Sequence, residues 1–312
     1  MKVFRRSRLL GLLATSVLGI ALLWWLVAGN HIDGVQLTER LLHAASPTLA
    51  LGVFCFILSM TLSALRYYVL FAASIPFPYL LSATLIQNAL LSFLPWRSGE
   101  FGYPLLLRRD YAVPIAVSTA FIITVRVLDL VIIMGVAALG STRLGLDSAW
   151  LSGLFLILLG VIAGVLGSLR LFHKRSRHLD AVRTALLPLA NFHVSIPLVV
   201  LSLAIFVVTS LQSALIIQAM ALDISVFDAM LLNALSLLAA WLPIHPPGGW
   251  GTIDAIQLVI LDRLGYAINS ATASILAAHS FYTVLILLGG VLGGLARGRR
   301  KLEIGVGHDH VR

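Results

Sequence analysis

The chain has 312 residues, of which 59% are hydrophobic and 11% charged, with a mean hydropathy of +0.99. A soluble domain carries about 25% charged residues, so this composition excludes a water-soluble globule. The net charge of +9 would suggest nucleic acid in a soluble protein, but in a lipid-embedded chain the positions of the charges matter more than their sum.

The chain opens on "MKVFRRSR", followed by an apolar run over 9–29. A cleavable signal core is about 7–15 residues long. This run is longer, shows no convincing small-x-small cleavage site, and carries Trp24 and Trp25, residues favoured at the lipid–water interface. It predicts a retained first transmembrane helix. A span needs about 20 apolar residues. The runs 48–70, 112–140, 149–169, 196–222 and 267–295 are near that length. Cys55 lies within the run 48–70 and, as the single cysteine, makes no intrachain disulfide. Two shorter runs, 80–95 and 227–244, stop at Pro-rich interruptions and are followed by short apolar pieces, 101–107 and 253–261.

Lys and Arg set orientation, with the basic segments on the cytoplasmic side. Three segments are rich in them: Lys2 to Arg8, Arg170 to Arg183, and Arg297 to Arg312. All three are placed in the cytoplasm, and the sparser connections near Arg40, Arg143 and Arg263 outside. With that orientation 80–107 starts and ends inside, while 227–261 enters and leaves from outside. Each reads as a pair of short spans or a re-entrant hairpin, and the short arms favour the hairpin. The tips are "PWRSGE" and "HPPGGWGT". Irregular backbone at membrane depth is tolerated only where it is buried in protein or lines a wet cavity.

The two halves share a plan: a long span, a broken short pair, a long span. From Glu100 to Arg126 is 26 positions and from Asp254 to His279 is 25. The copies start on opposite sides of the membrane, so they are expected to be inverted repeats. Paired Pro/Gly-interrupted segments of this kind point to a transporter binding site. The expected fold is an all-α polytopic helix bundle forming one membrane domain over 1–312. It comprises an N-terminal span and external segment (1–47), a first repeat (48–170), a basic linker (171–195), a second repeat (196–296) and a tail (297–312).

Arg126 and Asp129 lie three apart, on one helix face. Charges at the bilayer centre are costly, so both must face protein or water. They form either an intrahelical pair that fixes packing, or a site where Arg126 meets Glu100 or a ligand phosphate, which the guanidinium fork suits. Arg97 either snorkels to headgroups or joins that site with Ser98 and Gly99. Glu100 is placed to cap the returning helix, whose N-terminus is itself suited to an anion. In the second tip, Gly248, Gly249 and Gly251 make a bend, Trp250 lies within it, and Thr252 and Asp254 are placed to cap the next helix. His245 and His279 are structural histidines or titrating ones. Gln87, Asn88, Gln212, Gln218 and Asn233 suit interhelical hydrogen bonds. No spacing suggests a zinc cluster, and His308 and His310 in the tail do not make a metal site.

Three motifs in order, Pro95-x-Arg97-x-Gly99-Glu100, Arg126-x-x-Asp129 and Pro247-Gly248-Gly249-Trp250-Gly251-x-x-Asp254, resemble the transmembrane region of lysylphosphatidylglycerol synthases, the flippase-like family. The resemblance covers about 48–296. The chain departs from the family's pattern at Tyr103 and Pro104, where a further Arg is frequent. It departs again at Asp254, where Glu is common, and at His279, where a basic residue is common. The bifunctional members move an aminoacylated phospholipid between leaflets and make it in a separate soluble domain. No such domain follows "RGRRKLEIGVGHDHVR", so the resemblance implies translocation without synthesis. The expected function is movement of a phospholipid, glycolipid or polyprenyl-phosphate-type lipid across the inner membrane. The expected headgroup site comprises Arg97, Ser98, Gly99, Glu100, Arg126, Asp129, Gly248, Gly249, Trp250, Gly251, Asp254 and His279. No cofactor, metal or nucleic acid is expected. The partners are membrane lipids and a lipid-biosynthetic enzyme. The alternatives are a membrane-embedded transferase, with Glu100 or Asp129 as base, and a non-transporting partner of an envelope-lipid enzyme.

Overall fold

The structure, a computed structural model, describes residues 16–17, 19–29, 34–44, 47–145, 192–240 and 246–309, with isolated positions between 149 and 160. Most of the run 149–169, the basic segment 170–183, the start of the first span and His245 lie outside the described residues. So do the side chains of Arg97 and of the tail histidines.

Among the described residues the protein is all helical. The helices are α1 (Gly19–Gly29), α2 (Gly34–His43), α3 (Pro47–Leu70), α4 (Phe77–Phe93) and α5 (Gly102–Tyr111). They continue as α6 (Ile115–Gly140), α7 (Phe192–Ala219), α8 (Val226–Ala239), α9 (Thr252–Arg263) and α10 (Ile268–Asp309). Four of them, α3, α6 with its continuation to Leu144, α7 and α10 as far as Gly298, are long and apolar enough to cross a membrane. Only 22–33% of their most apolar stretches is buried within the protein, so most of that surface is left for lipid.

Local sequence explains the interruptions. Proline at the first turn of α4 needs no amide partner there and fits the start after Pro76. Leu94 precedes Pro95, which disfavours helical backbone. It is extended (φ −85°, ψ 134°), and α4 ends there. A 3₁₀ turn, Pro95–Phe101, leads into α5. Ser225 opens α8, its hydroxyl accepting the Asp228 amide at 3.1 Å. Pro246, before Pro247, is likewise extended, and a short 3₁₀ turn, Pro247–Gly249, leads to α9.

The element order from α3 to α6 recurs from α7 to α10. The turns after α3 and α7, residues 71–76 and 220–225, have the same length of six residues. α3 lies along α7, α4 packs on α10, and α8 packs on α6. Glycines permit the closest approaches. A Cβ on Gly290 would stand 2.6 Å from Ala89 Cβ, and one on Gly140 would stand 2.5 Å from Leu231 Cδ1. Small residues are the usual means of bringing membrane helices together.

Polar clusters close both ends of the bundle. At one end Arg297 of α10 pairs with Asp110 of α5, which also takes Arg109 Nε at 3.1 Å and the Tyr79 hydroxyl at 3.1 Å. At the other, Arg143 stands 3.4 Å from Asp228, which accepts the Tyr266 hydroxyl at 2.9 Å. Arg40 donates to the Met220 carbonyl at 2.7 Å. An apolar core lies toward each end. One is built on Tyr79, Leu80, Tyr103 and Phe121, the other on Ile216, Leu231, Leu258 and Leu261.

Candidate functional site

Between the two cores lies a cavity of about 490 Å³. The end of α4 (Leu91, Ser92, Phe93) with Leu94 beyond it, and the loop residues Pro246, Gly248 and Gly249, all line it, so the two helix breaks meet there. Arg66 of α3, Arg126 and Asp129 of α6, Ser202 of α7, Asn233 of α8 and His279 of α10 face it.

Asp129 is held chiefly by Arg66. The guanidinium reaches it with Nη1–Oδ1 at 2.5 Å and Nη2–Oδ2 at 3.4 Å, and donates to Ser202 Oγ at 3.0 Å. This two-point contact is the strong form of a charge-assisted hydrogen bond. Arg126 is the looser member. Its Nη1 is 3.8 Å from Asp129 and its Nε 3.3 Å from Glu100 Oε1. The latter is an ion-pair separation without hydrogen-bond alignment, and the Nε atoms of Arg66 and Arg126 are both buried without a hydrogen bond among the described residues. Arg66 is thus committed to Asp129, and Arg126 is free to take another acceptor.

The second break is tightly built. Asp254 is fully buried. Its Oδ2 accepts the Gly251 amide at 2.8 Å, and its Oδ1 lies 2.6 Å from His279 Nδ1. His279 Nε2 lies 2.9 Å from the Gly248 carbonyl, and Trp250 stacks on the imidazole at 4.1 Å between centroids. Gly248, Gly249 and Gly251 have φ of +77°, +74° and +78°, a region that L side chains disfavour. At Gly251 a Cβ would also collide with the Gly19 carbonyl of α1.

The structure brings most of the expected site residues together. Arg126, Asp129, Gly248, Gly249 and His279 line the cavity, and Trp250, Gly251 and Asp254 stand directly behind. Glu100 faces Arg126, as one of the two sequence readings holds. The N-cap residue of α5 is Phe101, which offers no side-chain hydrogen bond, and Glu100 just before it stands 3.3 Å from Arg126 Nε. The reading of Arg126 and Asp129 as a self-contained pair is corrected, since Asp129 is closer to Arg66. Gly99 is buried against the backbone of Leu90, and Ser98 is exposed; neither lines the cavity. Asp254 caps α9 as expected. Of the amides, Asn233 donates to Ser210 Oγ at 3.0 Å and Gln218 to the Ile224 carbonyl at 2.7 Å.

Arg66 was assigned no site role from the sequence. Its only signal is a cation four residues before the end of a 24-residue apolar helix, the pattern of a residue that snorkels to headgroups. Instead it is buried, at 5% exposure. Among the described residues no three His, Cys, Asp or Glu side chains gather as metal ligands would.

No curated protein matches the chain by sequence. The family model of the lysylphosphatidylglycerol synthase TM region matches residues 9–290. The chain is therefore a multi-pass helical membrane protein that belongs to the lysylphosphatidylglycerol synthase TM region family.

Proposed function

We propose that the protein is a lipid translocase of the bacterial inner membrane, moving an anionic phospholipid, glycolipid or polyprenyl-phosphate-type lipid between leaflets without altering it. One observation carries the reading: Arg126, with slack in its pairing, stands on a cavity where two helix breaks meet. A phosphate there would take the guanidinium fork, while Arg66 keeps Asp129 neutralised. The acyl chains would remain in lipid.

The lengths support re-entrant hairpins. At about 1.5 Å per residue, α4 and α8 reach roughly 25 and 21 Å, short of a hydrocarbon core of about 30 Å. Inverted repeats are supported by the recurring element order and by the crossed packing of α4 on α10 and α8 on α6. They are supported too by the matched acid–base pairs, Glu100 with Arg126 and Asp254 with His279. The positive-inside pattern supports cytoplasmic termini, and a lipid-biosynthetic enzyme is the natural partner. Purified protein in vesicles with fluorescent lipids tests the function. Leaflet exchange of intact lipid is expected. Product formation without exchange would identify a transferase instead, and neither would leave a scaffold.

A further inference from the structure

The loop Pro246–Gly251 is tied to α9 and α10 through His279 and Asp254. A carbonyl oxygen only accepts hydrogen bonds, so His279 Nε2, 2.9 Å from the Gly248 carbonyl, carries a proton. The 2.6 Å contact between Nδ1 and Asp254 Oδ1 holds another, on the ring or on the carboxyl. With both protons present the pair is neutral overall. Take one away and the loop cannot keep both bonds. A proton left on Nδ1 sets the Nε2 lone pair against the Gly248 carbonyl. A proton left on Nε2 sets the Nδ1 lone pair against a fully buried carboxylate. Either state adds one negative charge to the cavity wall, where an uncompensated charge is costly.

The surroundings make the pair addressable. His279 lines the cavity, whereas Asp254 has no exposure. Among the described residues the charged groups on that cavity are Arg66 from α3 and Arg126 and Asp129 from α6, with Glu100 behind Arg126, and its other titratable groups are Tyr67 of α3 and Tyr282 of α10. The α4, α7 and α8 walls add amides and hydroxyls such as Gln87, Ser202 and Asn233, and α1 brings the Gly19 backbone against the loop. The loop itself has three glycines at positive φ, so it has the conformational freedom to rearrange when one of its bonds is lost.

We propose that the His279–Asp254 pair is a proton-binding site, and that its proton travels with an anionic lipid headgroup, so that a proton gradient drives lipid movement. This rests on the translocase reading of the same cavity. The neutral pair accepts an anion beside Arg126, and the pair that has lost its proton repels it. By linkage each ligand then favours the other to the same extent. The proton passes from water on one side onto the pair and from the pair to water on the other. No other bond is made or broken.

The test uses the full chain in vesicles carrying a fluorescent phosphatidylglycerol, with the membrane potential clamped by potassium and valinomycin. With a pH step of about one unit, one proton per lipid allows up to about a tenfold excess of probe in the leaflet facing the alkaline side. Exchange with an even distribution, or with accumulation on the acidic side, overturns the coupling and leaves the translocase reading intact. No exchange under any gradient overturns both. His279→Arg sets a permanent cation opposite Asp254 that releases no proton near neutrality, so its steady-state ratio returns to one whatever its rate. A ratio that still shifts in this variant overturns the assignment. A second readout is independent of transport. The emission of Trp250, which stacks on His279, taken as wild type minus Trp250→Phe, should change with pH as a single proton is lost. A flat difference overturns the proposal.

Discussion

A buried ion pair adds little over two apolar residues, yet removal of one partner is costly because the other remains as an unpaired charge. Arg66 and Asp129 meet that condition, their side chains 6% and 21% exposed. Arg66→Ala is expected to lower stability by about 3–5 kcal/mol, and the double variant Arg66→Ala/Asp129→Ala by less than the single. Unfolding of detergent-solubilised protein measures both, and a double variant worse than the single would rule the pair out as the cause. Arg126→Ala should cost more transport than Arg143→Ala, because Arg126 lines the cavity while Arg143 is half exposed at one end of the bundle. At equal expression, equal transport by the two would deny Arg126 its role. The Glu100–Arg126 contact was legible as one of two readings, whereas Asp254 and His279 were marked only as site residues 25 positions apart and their contact is seen in the structure alone. Arg66 was not legible, because its partner lies 63 residues away on another helix and nothing local marks the pairing.

The interruptions do more for this protein than its spans. Gly145 and Gly251 both hold positive φ, but a Cβ meets open space at Gly145 and the Gly19 carbonyl at Gly251. Left-handed backbone alone costs an L residue about 1–2 kcal/mol. Gly145→Ala should lose about that much, and Gly251→Ala more, with α1 displaced from the loop. Equal losses in thermal unfolding would show that α1 does not press on the loop. Prolines made these breaks readable. The expected runs 80–95 and 227–244 appear as α4 and α8, shifted by a few residues because Pro76 and Ser225 set the starts and Pro95 the end of α4. The run 267–295 continues as helix to Asp309. Hydropathy stops at the basic residues, but Arg, Lys and Leu are good helix formers, so the helix does not stop with it.

Taken whole, the bundle is closed at both ends by charge and open in the middle. At one end, burial raises the Asp110 carboxyl, but hydrogen bonds from Arg109 and Tyr79 and the charge of Arg297 outweigh it and hold the group below its ordinary value. A carboxyl depressed by folding adds stability that is complete above its unfolded value, about 3.9, and is lost as pH falls through the folded one. Asp110→Asn should therefore lower the unfolding temperature at neutral pH and make less difference at acid pH, below the ordinary carboxylate range. A loss equal at both pH values would mean that Asp110 is not acting as an anion. The bundle and its broken helices were legible in the sequence, whereas the Asp254–His279 contact and the common cavity were not. The cavity arises from the packing of α3 on α7 and of α4 on α10, contacts between segments far apart in the chain.

The claim that this cavity takes an anionic headgroup is tested most directly by thiol protection. Ser92, on the last turn of α4, lines the cavity, whereas Ser98 on the exposed turn does not. In a Cys55→Ser background, Ser92→Cys is expected to react with a small hydrophilic thiol reagent in a neutral bilayer, because a reactive thiolate needs water. It should react more slowly when lipid with a phosphate headgroup is added, while Ser98→Cys keeps its rate. If Ser92→Cys is inert, or reacts at an unchanged rate across saturating anionic lipids of several headgroups, the cavity is not a lipid site and the account fails.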